Sequence, residues 1–199
     1  MSRFNLDTGD ILLFDDKQDG LMGIFSGLVE YFTESPFSHV AMVLKNPTFI
    51  HPALHGYYIW QSGWQGSPDP QDGRVKLGVQ LTPFEDMFQY YKQRRGRMFL
   101  RRFQGDRVKT FSCDKLKIIH DVVYDKPYDL VPMDWVNALR RQDKTPQKTN
   151  RFWCSALVGY IYTQCGVLDK TTDWSILRPG DFGVGGLDIP LDKTQIQLL

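Results

Sequence analysis

The sequence has little cysteine and almost no net charge, and both scarcities narrow its chemistry. Its 199 residues include three cysteines, an odd number, and no CxxC pair. A disulfide-stapled secreted domain would need an even framework, so the count points to a reducing compartment. A formal net charge of +1 gives no general electrostatic reason to bind nucleic acid, and no such partner is expected. No apolar run is long enough to cross a bilayer: the longest, residues 21–32, is interrupted by Ser26 and Glu30. The opening MSRFNLDTGD lacks a basic stretch followed by an apolar one, so no signal peptide is visible and a cytoplasmic protein is expected. Four histidines and three cysteines show no metal-ligand spacing, so no metal or other cofactor is expected. GVGG at residues 183–186 lacks the strand-to-helix setting of a phosphate loop and reads as a turn.

What is present is an ordinary globular composition, 42% hydrophobic and 24% charged, in a length that fits one domain spanning 1–199. GDILLF (residues 9–14), SHVAMVL (38–44), GYYIWQSG (56–63), GVQL (78–81) and RMFLRRF (97–103) read as strands. Residues 21, 24, 25, 28, 29 and 32 are apolar at helical spacing and predict a helix that Ser35-Pro36 stops. A second helix is predicted after LTP, with Thr82 as its cap and Pro83 at its first position. Helices are also expected over residues 116–123 and 133–141, with a polar loop at 145–150. RFWCSALVGYIYTQCGVL is the strongest helix, with Gly166 placed to end it. Strands in the middle with helices before and after predict an α+β fold. Residues 92–102, KQRRGRMFLRR, hold six basic residues and no acid. They read either as a solvated loop and strand or as a seat for phosphate or lipid headgroups at a membrane surface.

Cys154 lies four residues after Asn150, a candidate N-cap, and so falls in the first turn of its helix. Unpaired N–H groups and the positive end of the helix dipole favour a thiolate there, and could hold the oxyanion formed when it attacks a carbonyl. A core role competes, because Cys154, Val158, Ile161 and Cys165 also form an apolar stripe. Cys165 sits late in the same helix, where the dipole disfavours a thiolate, and Cys113 follows a loop. Thiolate chemistry needs a base, and His39 at the start of a strand can supply it. A third polar group would then fix the imidazole tautomer. His51 qualifies if the chain turns in a tight hairpin centred on Lys45. Gln61 qualifies through its amide oxygen, on the strand face it shares with Ile59. Spacing alone leaves both open.

Five segments, taken in order, resemble the circularly permuted papain-like, NlpC-type cysteine hydrolases, especially the YiiX/YebB-like branch. They are DTGDILLF, ESPFSHVAMVL, YYIWQSG with the later GVQLTPFEDMF, YDKPYD, and WCSALV, with LRPGDF following. The resemblance covers most of the chain. It implies a permuted papain-like fold, a central antiparallel sheet or half-barrel packed against helices, one of which bears the nucleophile. It implies that Cys154 is the nucleophile and His39 the base, in an order reversed from ordinary papain-like enzymes. It favours Gln61 as the third group, whereas a rival alignment to lecithin:retinol acyltransferase-like enzymes favours His51. Tyr128 and Asp129, in the PYD turn, are candidates for the pocket rim. The implied activity is hydrolysis of a peptide or other amide through an acyl-enzyme. A lipid-ester acyl hydrolase or acyltransferase, with peripheral membrane contact, and a non-catalytic binding module on the same fold are the alternatives. Three positions depart from the family pattern: Gln61 stands for an acid, Ala156 for the glutamate of C-S-E-L-V, and Ala41 for the glycine after the histidine.

Overall fold

A computed structural model of the chain describes residues 4–15, 36–129 and 149–199. The helices expected at residues 21–32 and 133–141 lie outside those residues. The described elements run, in order, β1 (Ile11–Asp15), β2 (His39–Lys45), β3 (Tyr57–Trp64), β4 (Leu77–Pro83), α1 (Phe84–Gln93), β5 (Arg97–Arg101), α2 (Arg107–Thr110), α3 (Cys113–Val123), α4 (Cys154–Cys165) and β6 (Ile196–Gln197). The strands form one six-stranded sheet in the order β4-β3-β2-β1-β5-β6, with every pairing antiparallel. The fold is α+β. No helix among the described residues is long and apolar enough to cross a membrane.

Both faces of the sheet are covered, which explains why β1 and β2 read as continuous apolar runs rather than alternating ones. Ile11, Leu13, Val40, Met42, Leu44, Trp60, Val79 and Leu81 join a core with α3 and α4. Leu12, Phe14, Ala41, Val43 and Ile59 face the other way and pack with Phe84, Met87, Phe88 and Tyr91 of α1. Alternate residues of each strand thus belong to different cores. Two ends differ from expectation. Thr82 does not cap α1: it is paired in β4, opposite Ile59, and the helix starts after Pro83 with no side-chain cap. The tail, which shows little periodicity, adds β6 to the edge of β5 and lays Trp174 on Phe152, with ring centroids 5.6 Å apart.

The chain leading to α4 is held against the edge of the sheet. The Val79 N–H donates to the Lys126 carbonyl at 2.8 Å, and the Tyr128 N–H to that of Leu77 at 3.2 Å. The Phe152 N–H then donates to the Pro127 carbonyl at 3.1 Å, which aligns residues 127–129 with 152. The close approach requires Gly78: its φ is +149°, and a Cβ there would stand 2.3 Å from the Lys126 carbonyl oxygen. At the other end of α4, Gly166 takes the left-handed conformation at φ +79° and stops the helix where expected.

Candidate active site

Cys154 is the first residue of α4, and its N-cap is Trp153, in extended conformation, rather than Asn150. No side chain caps this end, so the first N–H groups of the helix stay available to the sulfur. Cys154 is 6% exposed. The N–H groups of Val40, of Ser155 and of Cys154 itself face the sulfur and favour its thiolate, but burial outweighs them and holds the thiol above its ordinary value. Loss of solvent thus opposes the helix terminus, which by itself favours a thiolate.

His39 is the first residue of β2, and Val40 follows it, so the sulfur lies beside the peptide that bears the imidazole. The ring rests against Phe14, with centroids 5.4 Å apart, on the α1 side of the sheet. The pairing between β2 and β3 runs from Lys45↔Tyr57 to Met42↔Trp60, and the strands separate beyond it toward His39 and Gly63. Cys154 belongs to the core on the α4 side of the sheet. Among the described residues no hydrogen bond joins the thiol to the ring. The His39 Nε2 lies 2.8 Å from the Gln61 Oε1. With the amide oxygen accepting, Nε2 carries the proton and Nδ1, the nitrogen nearer the backbone, keeps its lone pair. His39 as a residue is half-buried, and its ring lies against Phe14, Gln61 and Gly63. That burial pushes its pKa down to about 4, with the Gln61 hydrogen bond opposing. Burial thus favours the neutral form of both groups.

Gln61 is 2% exposed and shares the α1 face with Ile59. Its Nε2 donates to the Thr82 Oγ1 at 2.9 Å. His39, Gln61 and Thr82 therefore form one chain across β2, β3 and β4. Neighbouring polar groups hold the opening in shape. Gln80 donates to the Gly63 carbonyl at 2.6 Å, and Ser62 to the Phe152 carbonyl at 2.6 Å. A Cβ at Gly63 would stand 3.3 Å from the ring Cε1 of His39, a tight contact that leaves the ring little room on that side.

His51 is not brought to His39. The register Lys45↔Tyr57 makes residues 46–56 a long connection instead of a tight hairpin, and His51 lies exposed in it, at the other end of the strands. Tyr128 is near the sulfur: burial pushes its phenol well above the ordinary value, and Cys154 and then Asp129 act in the same direction. Asp129 is buried and ion-paired with Arg151 at 3.1 Å. Ala156 packs in the core and Ser155 donates to the Leu177 carbonyl at 2.7 Å, so both serve the seating of α4.

Cys113 differs from expectation, since it is also the first residue of a helix, after Ser112. It is exposed. Cys165 is buried and pushed up to about 12. The basic segment 92–102 is divided: Arg97 pairs with Asp15, and Arg101 is buried, donating to the carbonyls of Phe182, Gly183 and Asp192. Sequence reasoning missed the roles of Thr82 and Gln80. Their signal was polar residues at alternate positions of an otherwise apolar strand, matching Gln61 on its neighbour. The chain matches no protein-family model and no curated protein.

Proposed function

We propose that the protein is a thiol hydrolase of the permuted papain-like type, acting on amide or ester carbonyls through an acyl-enzyme on Cys154. The observation that carries this reading is the His39–Gln61–Thr82 chain, which leaves Nδ1 free beside the peptide whose N–H faces the Cys154 sulfur. The mechanism requires the thiol and Nδ1 to come together in the substrate complex, since the ring lies on the α1 side of the sheet and Cys154 in the core on the α4 side. His39 takes the thiol proton as sulfur bonds to the carbonyl carbon. N–H groups at the start of α4 hold the resulting oxyanion. Collapse breaks the bond to the amine or alcohol, which leaves with the proton from His39. Water, activated by the same imidazole, then cleaves the thioester and restores the thiol. Gln61 is neutral, so it fixes the ring's tautomer and direction without supplying charge to an imidazolium. Tyr128, which feels the Cys154 sulfur, and its neighbour Asp129 are candidates for the pocket rim. Peptides, other amides and lipid esters all carry a carbonyl suited to this chemistry.

A non-catalytic binding module on the same fold is the second reading. It is favoured by the buried thiol and by the missing thiol–imidazole hydrogen bond. Mass spectrometry after treatment with an acyl-directed thiol probe separates the two. The hydrolase reading expects an adduct on Cys154 that disappears in His39→Ala. Adducts on Cys113 alone would overturn it.

A further inference from the structure

We propose that Ser62 is a positioning residue, which fixes the Cys154 thiol relative to the His39 imidazole by holding the entry to α4 on the same strand that holds the ring. The inference rests on the reading of Cys154 and His39 as the reacting pair. Successive residues of a strand face opposite sides of its sheet. Gln61 faces the α1 side, where its Oε1 lies 2.8 Å from the His39 Nε2. Ser62, the next residue of β3, pairs with Val79 and so faces the core on the α4 side. There its hydroxyl lies 2.6 Å from the Phe152 carbonyl oxygen. A carbonyl has no hydrogen to give, so the hydroxyl donates and the direction of this bond is fixed. Phe152 stands two residues before Cys154.

The ladder between β2 and β3 ends at Met42↔Trp60, short of both contacts. Past that point side chains do the tying, Gln61 to the start of β2 and Ser62 to the segment that enters α4. The thiol and the ring belong to opposite faces of the sheet, and β3 is the strand to which both are fastened. No side chain caps α4, and the Ser155 hydroxyl in its first turn is bonded to the tail at Leu177, not to β3. Ser62 and Phe152 are 0% and 1% exposed, so water is a poor substitute for the bond between them. The Phe152 carbonyl also accepts from the Asp129 N–H at 3.2 Å. Removing the hydroxyl therefore leaves that carbonyl paired and takes away only its link to β3.

The experiment is alkylation of the full chain by iodoacetamide at neutral pH, with the rates at Cys154 and Cys165 read separately by mass spectrometry. The two thiols are buried at opposite ends of α4, so a general loss of stability exposes them together. Ser62→Ala should speed labelling of Cys154 about fivefold, roughly the worth of one net hydrogen bond, and leave Cys165 unchanged. Thr163→Ala is the control: it removes another buried hydroxyl of α4, which donates to the Gly159 carbonyl at 2.8 Å, and should not speed Cys154. An unchanged Cys154 in Ser62→Ala, or equal acceleration of both cysteines, would overturn the proposal. So would the same acceleration of Cys154 in Thr163→Ala. Acylation of Cys154 by p-nitrophenyl acetate should slow in Ser62→Ala by about the same factor although the thiol is more accessible, because orientation is lost. Faster acylation would make Ser62 a mere barrier and overturn its positioning role. A wild type that is not acylated at all would sink the hydrolase reading, while selective alkylation in Ser62→Ala would leave the placement of the thiol by Ser62 standing.

Discussion

Cys113 and Cys154 occupy the same position on two helices, the first residue of α3 and the first of α4. Each follows an extended residue, and neither helix has a side-chain hydrogen bond at its cap. The helix dipole therefore treats them alike. Their surroundings do not. Cys113 is exposed, 3.9 Å from the Thr48 hydroxyl, whereas Cys154 is buried beside the peptide that carries His39. A helix terminus is thus a shared background, and the second element brought against it makes one thiol a candidate nucleophile.

The largest expected effect tests that difference directly. Cys154→Ala should lower turnover of an amide or ester substrate by on the order of 10⁴-fold, the scale of losing a nucleophile. Cys113→Ala should leave it unchanged. Equal losses in steady-state assays would erase the distinction.

The next test concerns the supports of the two helices. Gly78→Ala drives a Cβ into the Lys126 carbonyl and displaces the segment that leads to α4. It should cost more than about 2 kcal/mol in urea unfolding. Ser112→Ala, before Cys113, removes no capping hydrogen bond and should cost less than about 0.5 kcal/mol.

Gln61→Ala should lower turnover by roughly 10-fold to 100-fold, the range of a lost general-base contribution, while Gln61→Glu retains activity. His51→Ala should be silent, because His51 lies at the other end of the strands. A silent Gln61→Ala with an inactive His51→Ala would move the third role to His51.

Alkylation by iodoacetamide at neutral pH should be faster at Cys113 than at Cys154. Position in the helix and proximity to an imidazole alone would favour Cys154, but burial both shields the sulfur and raises its pKa. Faster labelling of Cys154 would show that the thiolate is present at rest.

The last comparison is in pH. His39 is pushed down from 6.5 to about 4, so the unfolded chain binds more protons than the folded one between those values. Stability from this group is intact above 6.5 and falls as pH drops through that window. The acid limb of kcat/KM should likewise lie near 4. An acid limb near 6.5 would place the ring in water.

The strands and the helix that carries Cys154 were legible because their signals are local. ILLF and VAMVL are apolar at every position, and a strand covered on both faces tolerates nothing else. Gly166 ended α4 as predicted, because a left-handed residue has few substitutes. Thr82 misled for the same reason: a threonine before proline and an apolar run satisfies every local rule for a helix cap. Pairing with Ile59, which no short window contains, assigned it to the sheet instead. The short β6 went unread because its two residues are strand only by virtue of β5.

By itself the sequence determined the α+β class, the main strands, the helix that begins at Cys154, and the set of polar residues from which a site could be built. Periodicity, proline and glycine act within a few residues, so neighbours suffice to read them. Tertiary structure decided which of those residues meet. The register of β2 on β3 sent His51 away and left Gln61 at His39, and the ladder to β4 delivered Thr82. It also decided the charge state of the pair. A pKa depends on how much water surrounds a group, and the layers packed against the sheet take that water from the buried thiol and in part from the half-buried His39.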